Sequence, residues 1–245
     1  MTGDRRLRIL ARLVRDVTSD VPGEVATTQL CLASTEVTGM SGAGVMLMAD
    51  DIPLGSVCTT DEVSHLVERL QHDLGEGPCI DAYRQDKPVL EPDLAGPAFR
   101  RWIAFTPPAV DAGVRAIFGY PLQVGDARLG ALNFYRDRPG APTDDQHADA
   151  LVLAGIVANS VLLMQAEAPP GALAAELETG FDLHYVVHQA AGMVSAQLDT
   201  TVAQALIRLR ARAFADGRHV ADVARDVVSR SLRFFPDADE VDPSS

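Results

Sequence analysis

The run Glu167-Ala168-Pro169-Pro170-Gly171 constrains this chain more than any other. Two consecutive prolines lack the amide hydrogens a helix needs, and a glycine follows them. The long apolar helix predicted from about Thr143 therefore cannot continue through the run. The 245 residues are read as two bodies joined by a connector, a larger mixed part before the break and a small helical part after it. Only 5% of residues are aromatic against 47% apolar, so both cores must rely on Ala, Val and Leu.

Charge divides the chain at nearly the same place. Residues 181–235 carry seven Arg against five Asp, whereas the remainder carries 14 basic against 29 acidic residues. A locally basic helical part on a strongly acidic protein points to a polyanion partner, because folding seldom needs such asymmetry. Residues 167–180 are read as the connector, and the tail at 236–245, with four acids, as disordered.

Within 181–235 the periodicity predicts three helices. Leu183, Val187, Ala190, Ala191, Val194 and Leu198 recur at spacings of three and four, which gives the first one a buried face. Gly192 inside it costs roughly 1 kcal/mol relative to Ala, and close approach of a neighbouring helix is the expected reason. Asp199 or Thr200 is the predicted N-cap of the second helix. That helix places Val202, Ala205, Leu206, Leu209 and Ala213 on its inner arc. Arg208 and Arg212 lie on one flank of the arc and Arg210 on the other side. Two guanidinium groups four residues apart suit phosphate oxygens or a base plane, with a solvated face as the alternative for each.

Ala203, Ile207 and Phe214 form a second, smaller apolar strip, expected to meet the preceding domain or a partner chain; a base-stacking role for Phe214 is the less favoured reading. After the turn Asp216-Gly217-Arg218-His219, a third helix buries Val220, Val223, Ala224, Val227, Val228 and Ser231. Its N-terminal amides, with Arg218 and His219 beside them, form a candidate anion site. Arg225 either extends that site or pairs with Asp222 and Asp226.

Three blocks in this segment carry a family pattern: A-x-G-M-V-x-x-Q-L from Ala190, A-L-x-R-L-R-x-x-A-F from Ala205, and V-A-D-V-A-R-D-V-V from Val220. In order and spacing they resemble the ANTAR family of RNA-binding antitermination domains. Many members carry a basic residue just before the glycine of the first block, where this chain has Ala191. The resemblance implies that the module binds a stem-loop in nascent mRNA and prevents a terminator from forming. Three small helices also suit a DNA-binding repressor, and competition between duplex DNA and hairpin RNA separates the two.

Before the break, residues 1–19 read as an amphipathic arm. Leu7, Leu10, Leu13, Val14 and Val17 lie on one face with Arg6, Arg8, Arg12 and Arg15 elsewhere, and a partner helix is the preferred contact. A helix follows at 27–37, then a strand pair at 42–48 and 54–60 around Asp50-Asp51-Ile52-Pro53, and a helix from Asp61 that Gly75 stops. Residues 113–122 and 125–134 form a hairpin across a glycine turn. The block G-E-G-P-C-x-D-A from Gly75, R-A-x-x-x-x-P-L from Arg115 and L-G-A-L-N-F from Leu129 resemble a GAF domain, placed at residues 20–166. The resemblance implies an α+β fold, an antiparallel sheet with helices on one face and often a small-molecule effector on the other. No cyclic-nucleotide pattern and no bilin-attachment cysteine is recognisable in it.

No catalytic constellation emerges, and the chain is expected not to be an enzyme; a GAF-containing signalling enzyme is the rival reading. His65 and His72 lie seven apart on one helix, a spacing at which a metal or haem ligand pair is the less favoured reading. Residues 75–78 lack the G-K-[ST] of a phosphate loop. The acids at Asp144 and Asp145 are read as the start of a capped helix, with Thr143 or Asp144 as cap. Cys31, Cys58 and Cys79 are unclustered, so neither a disulfide framework nor a zinc site is expected, and a reducing cytoplasm fits. No signal-peptide core is present, and the apolar run at 151–164 is read as a buried helix, with no membrane partner. The apolar arm and long helix predict a homodimer.

Overall fold

The computed structural model describes residues 2–16, 24–49, 52–96, 101–167 and 182–235. The chain divides into two compact units, Met1–Leu173 and Ala174–Ser245. The predicted connector beyond Glu167 and the acidic tail lie outside the described residues.

The first unit runs α1 (Thr2–Asp16), α2 (Glu24–Thr38), β1 (Gly42–Ala49), β2 (Ile52–Thr59), α3 (Glu62–Leu74), α4 (Pro78–Gln85), β3 (Val89–Glu91), α5 (Thr106–Asp111), β4 (Ala116–Val124), β5 (Ala127–Arg136) and α6 (Asp144–Glu167). Its five strands form one antiparallel sheet in the order β2-β1-β5-β4-β3. Strand alternation sends successive side chains to opposite faces, and here both faces are covered. On one, Tyr120 and Phe134 meet edge to face beneath α6. On the other, Met46, Ile117, Ala131 and Tyr135 pack with Val67 of α3, Ile80 and Tyr83 of α4, and Trp102 and Phe105 of the following loop. The expectation of helices on a single face is corrected: α3, α4 and residues 101–105 close the second. Burial on both sides explains why β1 is apolar throughout and does not alternate.

Local signals set the boundaries. The Asp61 carboxylate accepts from the Ser64 amide at 2.7 Å, and Ser64 Oγ accepts from the Asp61 amide at 2.9 Å, a reciprocal cap for α3. Gly75 ends that helix at φ +66°. Thr143 and Gln146 cap α6 in the same reciprocal way, as the acids at its start suggested. Strand β2 begins at Ile52, earlier than expected. Pro53 lies inside it opposite Met48, which is tolerated because β2 is an edge strand.

Helix α1 packs on α2 and α6 of its own unit. Arg5 binds Asp145 and Asp149 at 2.5 and 3.0 Å, and Ile9 is the buried contact. Leu7, expected inside, is 67% exposed. Helix α6 is long and apolar enough to cross a membrane by length and composition. It buries Leu153, Ile156, Val157 and Val161 within the unit. Cys31 of α2 and Cys58 of β2 are joined in a disulfide across a separation of 27 residues. The expectation that none of the cysteines pairs is therefore corrected. Packing of α2 beside the edge strand brings the two together, which spacing along the chain does not reveal.

The second unit is three mutually packed helices, α7 (Asp182–Leu198), α8 (Val202–Ala215) and α9 (Val220–Val228). Its core is Val187, Ala190, Ala191, Val194, Ala205, Leu206, Leu209, Ala213, Val220, Val223, Ala224 and Val227. These are predicted inner positions. Val202 and Ser231 are corrections, both being exposed. The N-cap of α8 is Thr201, one residue later than expected, with Gln204 completing a capping box. Gly192 is exposed and a Cβ there would meet nothing within 4 Å, so close helix approach is not its reason.

Candidate functional site

The core beneath α3 and α4 holds an unusual polar group. Ser64, Glu68 and Gln71 lie on the inner stripe of α3, and Asn133 shares the inward face of β5 with Ala131 and Tyr135; all four are at most 2% exposed. Asn133 Nδ2 donates to Glu68 Oε1. Gly44 of β1 makes the room, since a Cβ there would lie 2.5 Å from Glu68 Oε1 and 3.0 Å from Asn133 Nδ2. Gln71 Oε1 accepts from the Cys79 amide at 2.7 Å, tying α3 to the first turn of α4.

Three buried polar atoms here have no hydrogen-bond partner: Glu68 Oε2, Gln71 Nε2 and Asn133 Oδ1. Each such atom costs about 1–3 kcal/mol of desolvation, so the cluster is held at the expense of stability. Burial pushes the Glu68 carboxyl up to about 8, so it is largely a neutral acid at pH 7. Burial, and then the charge of Glu68, push the Cys79 thiol well above its ordinary range. Cys79 is therefore a poor thiolate nucleophile. Arranged this way, the cluster gathers a neutral acid, an amide donor and an amide acceptor in an apolar core.

None of Glu68, Gln71 or Asn133 was singled out from sequence. The signal was there in α3, whose inner positions 64, 67, 68 and 71 mix polar residues into a buried stripe.

Other sequence candidates in this unit have structural work. Glu76 accepts from the amides of Ala104 and Phe105 at 2.6 and 2.9 Å. Asp81 accepts from Trp102 Nε1 at 2.8 Å and pairs with Arg101 at 2.5 Å. The acids around residues 75–81 thus pin the 101–105 loop. His72 pairs with Asp73 at 3.0 Å, and His147 Nδ1 lies 3.1 Å from Tyr120 Oη. Among the described residues no group of three or more His, Cys, Asp or Glu is placed to hold a metal.

In the second unit the six predicted RNA-binding residues separate into two sets. Arg212 pairs with Asp216 at 2.7 Å, Arg218 with Asp226 at 2.8 Å, and Arg225 with Asp222. The Asp226 hydrogen bond, with Asp222 and Asp216 nearby, raises the Arg218 pKa. Three arginines and three aspartates therefore form a charge-balanced network from the end of α8 across the start of α9. His219 stands at the N-cap of α9, where its side chain makes no capping hydrogen bond, and Asp222 already occupies the first turn. The candidate anion site at that end is locally neutralised.

The exposed face of α8 is different. Ile207 and Phe214 are each 64% exposed and Val202 43%, with Ala203 and Ala211 also exposed. Arg208 on the same helix is exposed and Arg210 is half-buried. Ala191, just before Gly192, is buried in the helical core and presents no side chain at the surface.

Comparison with solved structures gives the same fold for the first unit. The GAF domain of a phosphoenolpyruvate-protein phosphotransferase from Coxiella burnetii is 16% identical, covering 68% of this chain and 98% of its own, at a TM-score of 0.51. A domain of a putative two-component sensor histidine kinase from Sinorhizobium meliloti 1021 is 21% identical, covering 61% and 96%, at a TM-score of 0.47. No curated relative matches the chain. The family model described as GAF domain matches residues 24–160, from α2 to within α6 and with the whole sheet between. As that span is more than half of the 245 residues, the protein belongs to the GAF domain family, small-molecule sensor domains found in signalling and regulatory proteins.

Proposed function

We propose that this protein is an intracellular, non-catalytic transcription regulator in which the GAF domain senses a small molecule and the C-terminal helices bind stem-loop RNA, preventing transcription termination. The observation that carries the RNA half is the outer face of α8, where Ile207 and Phe214 stand in solvent on the same helix as Arg208, Arg210 and Arg212. An exposed aromatic on a helix that also carries guanidinium groups is what unpaired loop bases and their phosphates require. It raises the base-stacking reading of Phe214 above a purely structural one. The Arg212–Asp216 pair does not oppose this, because an exposed i,i+4 pair contributes only about 0.3–0.5 kcal/mol and yields to phosphate. Support for the sensor half is the unsatisfied trio Glu68, Gln71 and Asn133.

Titration of the full chain against a hairpin RNA and a duplex DNA over a salt series tests the reading. Expected is tighter binding of the hairpin, with log affinity falling by roughly 0.7 per phosphate contact per decade of salt. Arg208→Ala with Arg212→Ala should flatten that slope, and Phe214→Ala should weaken binding while leaving the slope unchanged. Preference for the duplex would indicate a DNA-binding regulator, and salt-independent binding would remove α8 as the interface.

A further inference from the structure

We infer that Cys31 and Cys58 are a thiol–disulfide exchange site, through which low-molecular-weight thiols and disulfides control the hold of α2 on the sheet. The inference rests on the intracellular setting proposed above, where disulfides in mesophiles are usually transient or redox-sensing and not structural. Three features of the fold support it.

The bond joins a helix to the edge strand of the sheet, β2. Cys58 stands opposite Val45, and the next partners are Met46 and Ser56, so Val57 is an extra residue and the ladder is interrupted beside the sulfur. An interrupted edge strand opens locally more readily than a central one, which gives a small thiolate access although Cys31 and Cys58 are only 1% and 6% exposed. Finally, the buried described side chains of α2 are small: Cys31, Ala33, Ser34 and Thr38. By contrast, α6 buries Leu153, Ile156, Val157 and Val161. The covalent tie thus accounts for much of what holds α2, and little of what holds α6.

In the reductive direction a thiolate attacks Cys58 Sγ, the S–S bond breaks, and Cys31 leaves as a thiolate that takes a proton from water. A second thiolate attacks the outer sulfur of the mixed disulfide, releasing the small-molecule disulfide and the Cys58 thiolate, which is protonated in turn. Two electrons pass from two thiols to the protein, and oxidation by the small disulfide reverses the steps. Cys79, buried and held as a thiol, takes no part.

Full-length protein prepared without reductant should be unfolded and alkylated before and after reduction, then weighed intact. One labelled cysteine before and three after are expected. Native protein incubated with glutathione should reach the three-thiol form, and amide exchange in α2 should then rise by about tenfold or more while that in α6 stays within about twofold. Cys31→Ser and Cys58→Ser should each show the fast α2 exchange with or without glutathione, and Cys79→Ser should respond as wild type. Three labelled cysteines before reduction, a bond that glutathione leaves intact in native protein, or equal α2 exchange in the two forms of the wild type would overturn the inference. No arm involves RNA, so failure of the RNA reading leaves this result unchanged.

Discussion

Glu68 is where burial and charge conflict most directly. It lies in an apolar core with one oxygen bonded to Asn133 and the other unpartnered, and it holds its proton up to a pH of about 8 against an ordinary value of 4.5. Between those two values the folded chain binds a proton that the unfolded chain has released. This contribution to stability is therefore complete below about pH 4.5, falls as pH rises, and is lost by about pH 8. The fall is at most about 1.4 kcal/mol per pH unit. Replacing the carboxyl with an amide in Glu68→Gln should abolish this component, so denaturation midpoints of wild type and variant should diverge from pH 5 to pH 8, in the variant's favour. Parallel curves would mean that Glu68 is ionised in the core. A ligand that satisfies Glu68 Oε2 as an acceptor should also bind less well above about pH 8.

At the scale of elements, α7 and α8 carry features that packing does not explain. Gly192 lies on the exposed side of α7, and a side chain there would meet nothing within 4 Å. Gly192→Ala should raise the stability of the helical unit by about 0.5–1 kcal/mol, read as an increase of a few degrees in its thermal midpoint. If RNA approaches α7 at this position, the same substitution should also weaken hairpin binding, a loss that stability cannot account for. On α8, Ile207 and Phe214 face solvent while the inner stripe is complete without them, which is why they are read as contact residues.

For the whole molecule, the leucines left outside the GAF core matter most. Leu32 on α2 is 43% exposed, and Leu151 and Leu163 on α6 are 45% and 63% exposed. Large exposed apolar side chains on neighbouring helices are the mark of an association surface, and a second copy is the expected occupant. Sedimentation at micromolar concentration should give a dimer. Leu163→Glu, which changes an already exposed side chain, should give a monomer with an unchanged midpoint for the GAF unit. A wild-type monomer would contradict the dimer. Two heads per assembly would raise the effective concentration for a second hairpin, so a two-hairpin RNA should bind the wild type more tightly than Leu163→Glu does.

The sequence by itself determined the antiparallel hairpin β4–β5, the capped starts of α3 and α6 and nearly all of the helical core of the second unit. Each of these follows from local rules, in which a glycine turn, a cap or a period of 3.6 acts within a few residues. Tertiary structure decided what depends on residues far apart in the chain. Cys31 and Cys58 meet because α2 packs beside β2, Glu68 meets Asn133 across 65 positions, and Ile9 rather than Leu7 is buried where Arg5 meets Asp145 and Asp149. The arginines of the second unit were legible as a basic segment, and pairing of Arg225 with Asp222 was one of its two readings, but the pairs Arg212–Asp216 and Arg218–Asp226 were not foreseen. Composition counts charges, whereas the helix turns that set Arg212 beside Asp216 and Arg225 beside Asp222, and the turn that brings Arg218 to Asp226, decide which of them neutralise one another.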